Sequence, residues 1–136
     1  LEKRARDEGL TNVVFFDPVS KQQIPALLDC FDVAYIGWNR QPLYRFGIAP
    51  NKLMDYMMAG CVVLHSVSAG NDSVGEAGCG LTVEPEDVKQ VVDGLRTLLA
   101  LPAGERKSMG ERGRNFVLRE HTYPVLAQRF LDSFAG

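Results

Sequence analysis

The stretch that decides the fold of this chain reads Phe46-Gly-Ile-Ala-Pro-Asn-Lys-Leu-Met-Asp-Tyr-Met-Met-Ala-Gly60 and continues as Cys61-Val-Val-Leu-His-Ser66. Pro50 pre-sets the backbone for the start of a helix, and Gly60 is the residue type that commonly ends one. The apolar residues after Gly60 predict a short strand. We therefore expect a loop, a helix over residues 50–59 and the strand Val62–Ser66 in direct succession.

The start of the expected helix offers a seat for an anion. A helix N-terminus carries about half a positive charge and presents backbone N–H groups that lack partners within the helix. Asn51 and Lys52 lie in its first turn. Phosphate suits this arrangement, so nucleotide binding is the first functional hypothesis. The ordinary alternatives are a helix cap for Asn51 and a solvated surface charge for Lys52.

The rest of the chain alternates apolar runs with helical patterns. Further strands are expected over residues 12–16, 31–36 and 80–83, and further helices over residues 20–29, 87–101, 106–119 and 122–134. Polar loops are expected over residues 37–49 and 67–75. This alternation predicts an α/β fold, a Rossmann-like parallel sheet with helices on both faces.

The composition excludes several classes of protein. The chain has 136 residues, of which 46% are hydrophobic and 24% are charged, and these proportions are typical of a globular domain. A formal net charge of -2 supplies no basic surface for nucleic acid. No apolar run has the length of a membrane-spanning helix and no signal peptide is visible, so we expect a cytoplasmic protein.

The cysteines and histidines form no recognisable metal pattern. Cys30, Cys61 and Cys79 are widely spaced, which favours buried reduced thiols over a disulfide framework or a zinc site. His65 could act as an acid, a base or a ligand, but packing at the end of a strand is the more common role. His121 is expected to be a cap or a surface residue. We expect no metal ion and no other cofactor.

Several further motifs resemble the donor-binding half of retaining glycosyltransferases of the GT-B fold, a family that builds bacterial surface polysaccharides. Asp55-Tyr-Met-Met-Ala-Gly60 is similar to the family's second acidic residue and the segment after it, and Ser68-Ala-Gly-Asn-Asp72 is similar to its glycine-rich loop. Glu76-Ala-Gly-Cys-Gly-Leu-Thr-Val-Glu-Pro-Glu-Asp87 is similar to its Gly-Cys-Gly and Pro-Glu-Asp stretch. The resemblance covers the chain from Asn12 to about Phe134.

The resemblance implies that residues 1–136 are part of the C-terminal, donor-binding domain of a two-domain enzyme, without the N-terminal domain and the start of this domain. The enzyme would transfer a hexose, with retention, from a nucleotide diphosphate sugar to a glycan or lipid-linked acceptor in the synthesis of cell-surface polysaccharide or lipopolysaccharide. Most catalytic residues would lie in the missing N-terminal domain, so the fragment alone would be inactive. Whether the full-length protein is peripheral to the inner membrane stays open.

The family's first acidic residue is absent or displaced in this chain. Gly47 stands eight positions before Asp55, and aligning Phe46-Gly47 with the family's Phe-Gly puts Tyr44 at the acidic position. The role of that residue on the donor sugar is therefore not carried over.

The resemblance also implies a set of donor-binding residues. They are Phe46, Gly47, Asn51, Lys52, Asp55, Ser68, Gly70 and Asn71. Asp55 would hold the ribose, since a carboxylate accepts two hydroxyls at once; the alternative is a solvent-facing charge or an ion pair with Lys52. Gly47 would let backbone amides approach the sugar and phosphates, and its alternative role is an ordinary turn.

A weaker signal concerns the nucleotide base. Asp17, Pro18 and Val19 follow the first expected strand, where members of the family often contact the base. Two other functions stay open. A GT-B-fold epimerase would use the same donor site for elimination. A flavodoxin-like regulatory module would bind a protein partner, but it needs an acidic cluster where this chain has Asp17 alone.

Overall fold

The computed structural model describes residues 1–134 as three strands and seven α-helices. The strands are β1 (Val33–Gly37), β2 (Val62–Ser66) and β3 (Gly80–Val83). The helices are α1 (Glu2–Asp7), α2 (Ile24–Leu28), α3 (Asn51–Met58), α4 (Ser73–Ala77), α5 (Val88–Ala100), α6 (Ala103–Glu120) and α7 (Tyr123–Asp132). Two 3-10 turns, Lys21–Gln23 and Pro42–Phe46, precede α2 and α3. None of the helices in this part of the chain has the length and apolar character to cross a bilayer.

The strands form one parallel sheet in the order β1-β2-β3. Val33 of β1 lies beside Val62 of β2, and Leu64 of β2 lies beside Leu81 of β3. Because consecutive parallel strands need a crossover that returns the chain, α3 runs back from the end of β1 to the start of β2. The N-terminus of α3 therefore lies at the carboxyl edge of the sheet.

Helices cover both faces of the sheet, as the sequence predicts. On one face, Ile36 and Val63 pack with Leu53 and Met57 of α3 and with Phe116 of α6. On the other face, residues of β2 and β3 pack against α5 in a second cluster. Alternate residues of β2 thus belong to different clusters, which is the side-chain period of a strand.

Glycines bring α6 close to the chain that enters β2. A Cβ atom at Gly110 of α6 would collide with the carbonyl oxygen of Gly60. A Cβ atom at Gly113, one turn further along, would lie 2.8 Å from the Cβ of Cys79. The absence of side chains at these two positions lets α6 approach the sheet more closely than larger residues would permit.

The strand expected over residues 12–16 is wrong. This segment has no regular secondary structure, and Val14 and Phe16 are 69% and 77% exposed. Apolar composition predicts a strand only where a neighbouring strand can complete the ladder. Within residues 1–134, β1 pairs with β2 alone and nothing pairs with residues 12–16.

Two smaller expectations also need correction. The predicted loop over residues 67–75 ends early, because Asp72 caps the short helix α4 by accepting a hydrogen bond of 3.0 Å from the Gly75 N–H. Cys30 is exposed and not buried, since it lies just after α2 at the surface. Cys61 and Cys79 are buried free thiols, as expected.

Candidate functional site

The candidate site lies at the carboxyl edge of the sheet, where β1 and β2 end. β1 leads into residues 38–50, and β2 leads into residues 67–72. Because the carboxyl ends of parallel strands share one edge, the two loops emerge side by side. Trp38 and Ser66 mark this edge, since the Trp38 N–H donates to the Ser66 carbonyl oxygen over 3.0 Å.

Three hydrogen bonds tie the two loops together. The Gly70 N–H donates to the Tyr44 carbonyl oxygen over 2.8 Å. The Asn71 side chain accepts from the Ile48 N–H over 2.7 Å and donates to the Ile48 carbonyl oxygen over 2.9 Å. The loops therefore form one bonded unit beside α3.

Glycine is required at two positions of this unit. Gly47 has a φ angle of 100°, a conformation that residues with a Cβ atom rarely adopt. A Cβ atom at Gly70 would collide with the Arg45 carbonyl oxygen. These two predicted site residues thus let the backbones of the loops approach each other.

The start of α3 faces the loops without a side-chain cap. Pro50 occupies the N-cap position, and its carbonyl oxygen accepts from the N–H groups of Leu53 at 3.0 Å and Met54 at 3.4 Å. Asn51 and Lys52 are the first two helical residues, so their own N–H groups have no acceptor within the helix. The cap alternative for Asn51 is therefore wrong, and an anion acceptor for these two donors stays a prediction.

A groove of about 410 Å³ opens between the two loops. Its lining residues are Arg40, Gln41, Pro42, Arg45, Ser68, Ala69 and Gly70. Ser68 and Gly70 are predicted site residues, and the structure places both in the wall of this groove. Phe46 and Gly47 follow Arg45 directly, with the Phe46 ring 75% exposed.

Arg40 and Arg45 are candidate functional residues that the sequence reasoning missed. Arg40 forms an exposed ion pair of 2.8 Å with Glu84, and Arg45 lies over the Phe46 ring at 4.6 Å. Arg45 has no carboxylate partner among residues 1–134. The available signal was the position of both arginines in an aperiodic loop directly after a strand, where α/β folds place ligand-binding residues.

Asp55 is exposed on α3, one turn beyond Asn51. It forms no ion pair with Lys52 in the described part of the chain, so the intrahelical alternative is not observed. With no ion pair across residues 1–134, the two oxygens of the Asp55 carboxylate can accept hydrogen bonds from a ligand. Its assignment to the ribose stays a prediction.

The three residues expected to contact the nucleotide base lie outside the two loops of the candidate site. Asp17, Pro18 and Val19 lie in an exposed segment without regular secondary structure. None of the three lines the groove, and no side-chain hydrogen bond connects them to it across residues 1–134. A contact with the base stays a prediction for them.

His65 is packed, as its position at the end of a strand predicts. It is 1% exposed, and neither ring nitrogen has a hydrogen-bond partner in the described structure. Burial lowers the pKa of His65 below its ordinary value, and the nearby Asp72 charge opposes this shift. A neutral imidazole enclosed in this way is a core residue and not a proton donor to a ligand in the groove.

The remaining reactive side chains are also accounted for by packing. Burial raises the pKa of the Cys79 thiol to about 11, and burial raises that of Cys61 as well. Both thiols are therefore protonated and poorly nucleophilic near neutral pH. His121 ends α6 at its C-cap, with its ring against Phe116. Across residues 1–134, His, Cys, Asp and Glu side chains nowhere form a group of three or more that could hold a metal ion.

The fold is found in a solved structure. The sucrose-phosphate synthase of Thermosynechococcus elongatus matches 98% of this chain with a TM-score of 0.77 and 20% sequence identity. At this identity the match establishes the fold, and it confirms the predicted Rossmann-like parallel sheet. The chain corresponds to 33% of that structure.

Sequence comparison identifies the family. The colanic acid biosynthesis glycosyl transferase WcaI, so named in Escherichia coli (strain K12), is 32% identical over an alignment of 137 positions that covers 97% of this chain. The chain spans 29% of the length of that relative. The model of the glycosyl transferase-like family matches residues 4–132. The chain therefore belongs to the glycosyl transferase-like family.

Proposed function

We propose that the full-length protein transfers a sugar from a nucleotide diphosphate sugar to a glycan or lipid-linked acceptor, and that this chain supplies the donor half of the site. One observation carries the proposal. The groove with Arg40 and Arg45, the glycine-dependent contact of the two loops and the uncapped start of α3 all meet at one edge of the sheet. Family membership supports the reaction class.

The diphosphate would be the group that the groove recognises. Arginine binds phosphate oxygens through a planar fork of donors, and backbone N–H groups add neutral donors that need no reorganisation. Arg45 is the stronger candidate of the two arginines, because Arg40 already pairs with Glu84. In glycosyl transfer these donors would stabilise the negative charge that develops as the nucleotide diphosphate leaves. Retention of configuration and transfer of a hexose are part of the proposal.

Asp55 would bind the ribose of the nucleotide through its two carboxylate oxygens. This role requires an exposed carboxylate with no internal partner, and Asp55 meets that requirement within the described residues. The acceptor site and the remaining catalytic groups would be supplied by the rest of the protein. The name of the relative WcaI supports an acceptor in cell-surface polysaccharide synthesis.

A binding experiment on the full-length protein tests the proposal. UDP-, GDP- and ADP-sugars would be titrated against the unsubstituted protein and against Arg45→Gln. We expect one nucleotide to bind, and we expect Arg45→Gln to weaken its binding by about 1.5–3 kcal/mol, the contribution of hydrogen bonds to a charged group. Release of nucleotide diphosphate in the presence of an acceptor extract measures the transfer itself.

Arg114→Gln is the matched control, since Arg114 is an exposed arginine of α6 outside the groove. It should leave the affinity unchanged. Failure of every sugar nucleotide to bind the folded full-length protein would contradict the proposed function. Equal losses in the two variants would contradict the placement of the diphosphate at Arg45.

A further inference from the structure

We propose that Asn71 is a positioning residue of the donor site, which holds the backbone of Gly47 and Ile48 in place and does not itself contact the donor. This inference rests on the proposed function. It replaces the direct donor contact that the family resemblance implies for Asn71 with a role that acts through Ile48.

The Asn71 side chain already uses both of its polar atoms. Its Oδ1 accepts from the Ile48 N–H over 2.7 Å, and its Nδ2 donates to the Ile48 carbonyl oxygen over 2.9 Å. One amide side chain thus pairs with both backbone groups of one residue, as an adjacent strand would. This two-point contact fixes the orientation of the peptide units on either side of Ile48.

The backbone near Ile48 depends on this contact. Ile48 lies outside regular secondary structure and has no backbone hydrogen bond within the described residues. Gly47, just before it, has no Cβ atom, so its backbone has access to conformations that other residues rarely adopt. Its φ angle of 100° is one of these conformations. The Gly47 N–H donates to the Tyr44 carbonyl oxygen over 2.9 Å, and Asn71 supplies the two hydrogen bonds that hold the next residue, Ile48.

The position of Ile48 affects the distance between two parts of the site. Arg45 lines the groove three residues before Ile48, and α3 begins at Asn51 three residues after it. A rotation of the peptide units around Ile48 would change the distance between the Arg45 side chain and the first N–H groups of α3. Asn71 thereby sets the spacing between two parts of the site without occupying the space between them.

The test compares Asn71→Ala with Asn115→Ala in the full-length protein. Asn115 is an exposed residue of α6, so its substitution makes the same chemical change away from the loops. Four quantities would be measured: the midpoint of thermal unfolding, KM for the sugar nucleotide, kcat, and hydrogen exchange of residues 44–50 without donor. We expect Asn71→Ala to raise KM about tenfold, the effect of losing two hydrogen bonds of ordinary strength, and to speed exchange in residues 44–50.

The donor-free exchange measurement separates positioning from direct contact. A raised KM with unchanged exchange in residues 44–50 would make Asn71 a donor ligand and overturn the proposal. Faster exchange with unchanged KM would overturn it too. Asn71→Asp keeps an acceptor for the Ile48 N–H but places a carboxylate oxygen against the Ile48 carbonyl oxygen, where two acceptors repel, so we expect exchange faster than in the parent.

Failure of this inference differs from failure of the proposed function. If the unsubstituted protein binds no sugar nucleotide, the proposed function itself is overturned, and this inference with it. If the unsubstituted protein and Asn71→Ala turn over the donor with the same KM, only the role of Asn71 is overturned.

Discussion

β2 and residues 12–16 are both short apolar runs, but they lie in opposite environments. All five residues of β2 are buried, with β1 and β3 on its two sides and helices on its two faces. Residues 12–16 have no strand beside them in the described part of the chain and expose most of the Phe16 ring. Burial on all sides and not apolar composition is what stabilises a strand, so the stability of this chain should depend on β2.

The largest expected effect tests this difference directly. Val63 of β2 is fully buried and belongs to the cluster with α3 and α6. Val63→Ala should lower the free energy of unfolding by about 1.5–3 kcal/mol, because it removes buried methyl groups and leaves a cavity. Urea unfolding of the purified chain measures the change.

Val14→Ala makes the same chemical change in residues 12–16 and is the matched control. Val14 is largely exposed, so the expected change is within about 0.5 kcal/mol. If Val14→Ala and Val63→Ala lowered the free energy of unfolding by comparable amounts, residues 12–16 would be as well packed as β2. That result would contradict the difference between the two segments.

The second prediction concerns the close contact of α6 with the chain entering β2. Gly110→Ala places a methyl group against the Gly60 carbonyl oxygen and should cost about 1–3 kcal/mol of unfolding free energy through overpacking. Gly104→Ala, near the start of the same helix, meets no atom within 4 Å and should be neutral or slightly stabilising. If Gly110→Ala left the free energy of unfolding unchanged, the close contact of α6 with the Gly60 carbonyl oxygen would not be needed for stability.

The smallest effect is a dependence of stability on pH. Burial lowers the folded-state pKa of His65, whereas the unfolded chain binds the proton near its ordinary pKa of about 6.5. The contribution of neutral His65 is therefore present above about pH 6.5 and is lost below it, by at most about 1.4 kcal/mol per pH unit. His65→Gln should remove this part of the pH dependence between about pH 7.5 and about pH 5.5.

Unfolding curves at several pH values give the comparison. If the parent and His65→Gln lose the same stability on acidification, His65 is solvated in the folded chain and β2 is not enclosed on both faces.

Local pattern was enough to predict the central elements. The bounds of β2 and β3 agree with the sequence prediction, because short apolar runs between glycine or polar residues define them. α3 begins one residue after Pro50 for the same local reason. The prediction failed for residues 12–16, since whether an apolar run forms a strand depends on a partner that no local pattern reveals.

The candidate site was predictable in its location but not in its internal contacts. Gly47, Ser68 and Gly70 were identified from the family pattern, and the structure places Ser68 and Gly70 in the groove wall. The contact of Asn71 with Ile48 joins residues 23 positions apart, so neither loop alone indicates it. The exposure of Arg45 on the groove likewise arises only when the two loops meet.

The pairing of Asn71 with Ile48 has a consequence for chimeric proteins. Hydrogen bonds and close backbone contacts join residues 44–48 to residues 68–71. The two segments are separate in sequence but form one structural unit. A graft of one stretch from a relative would bring a loop shaped for a different partner. An exchange intended to alter donor preference should therefore transplant both stretches together.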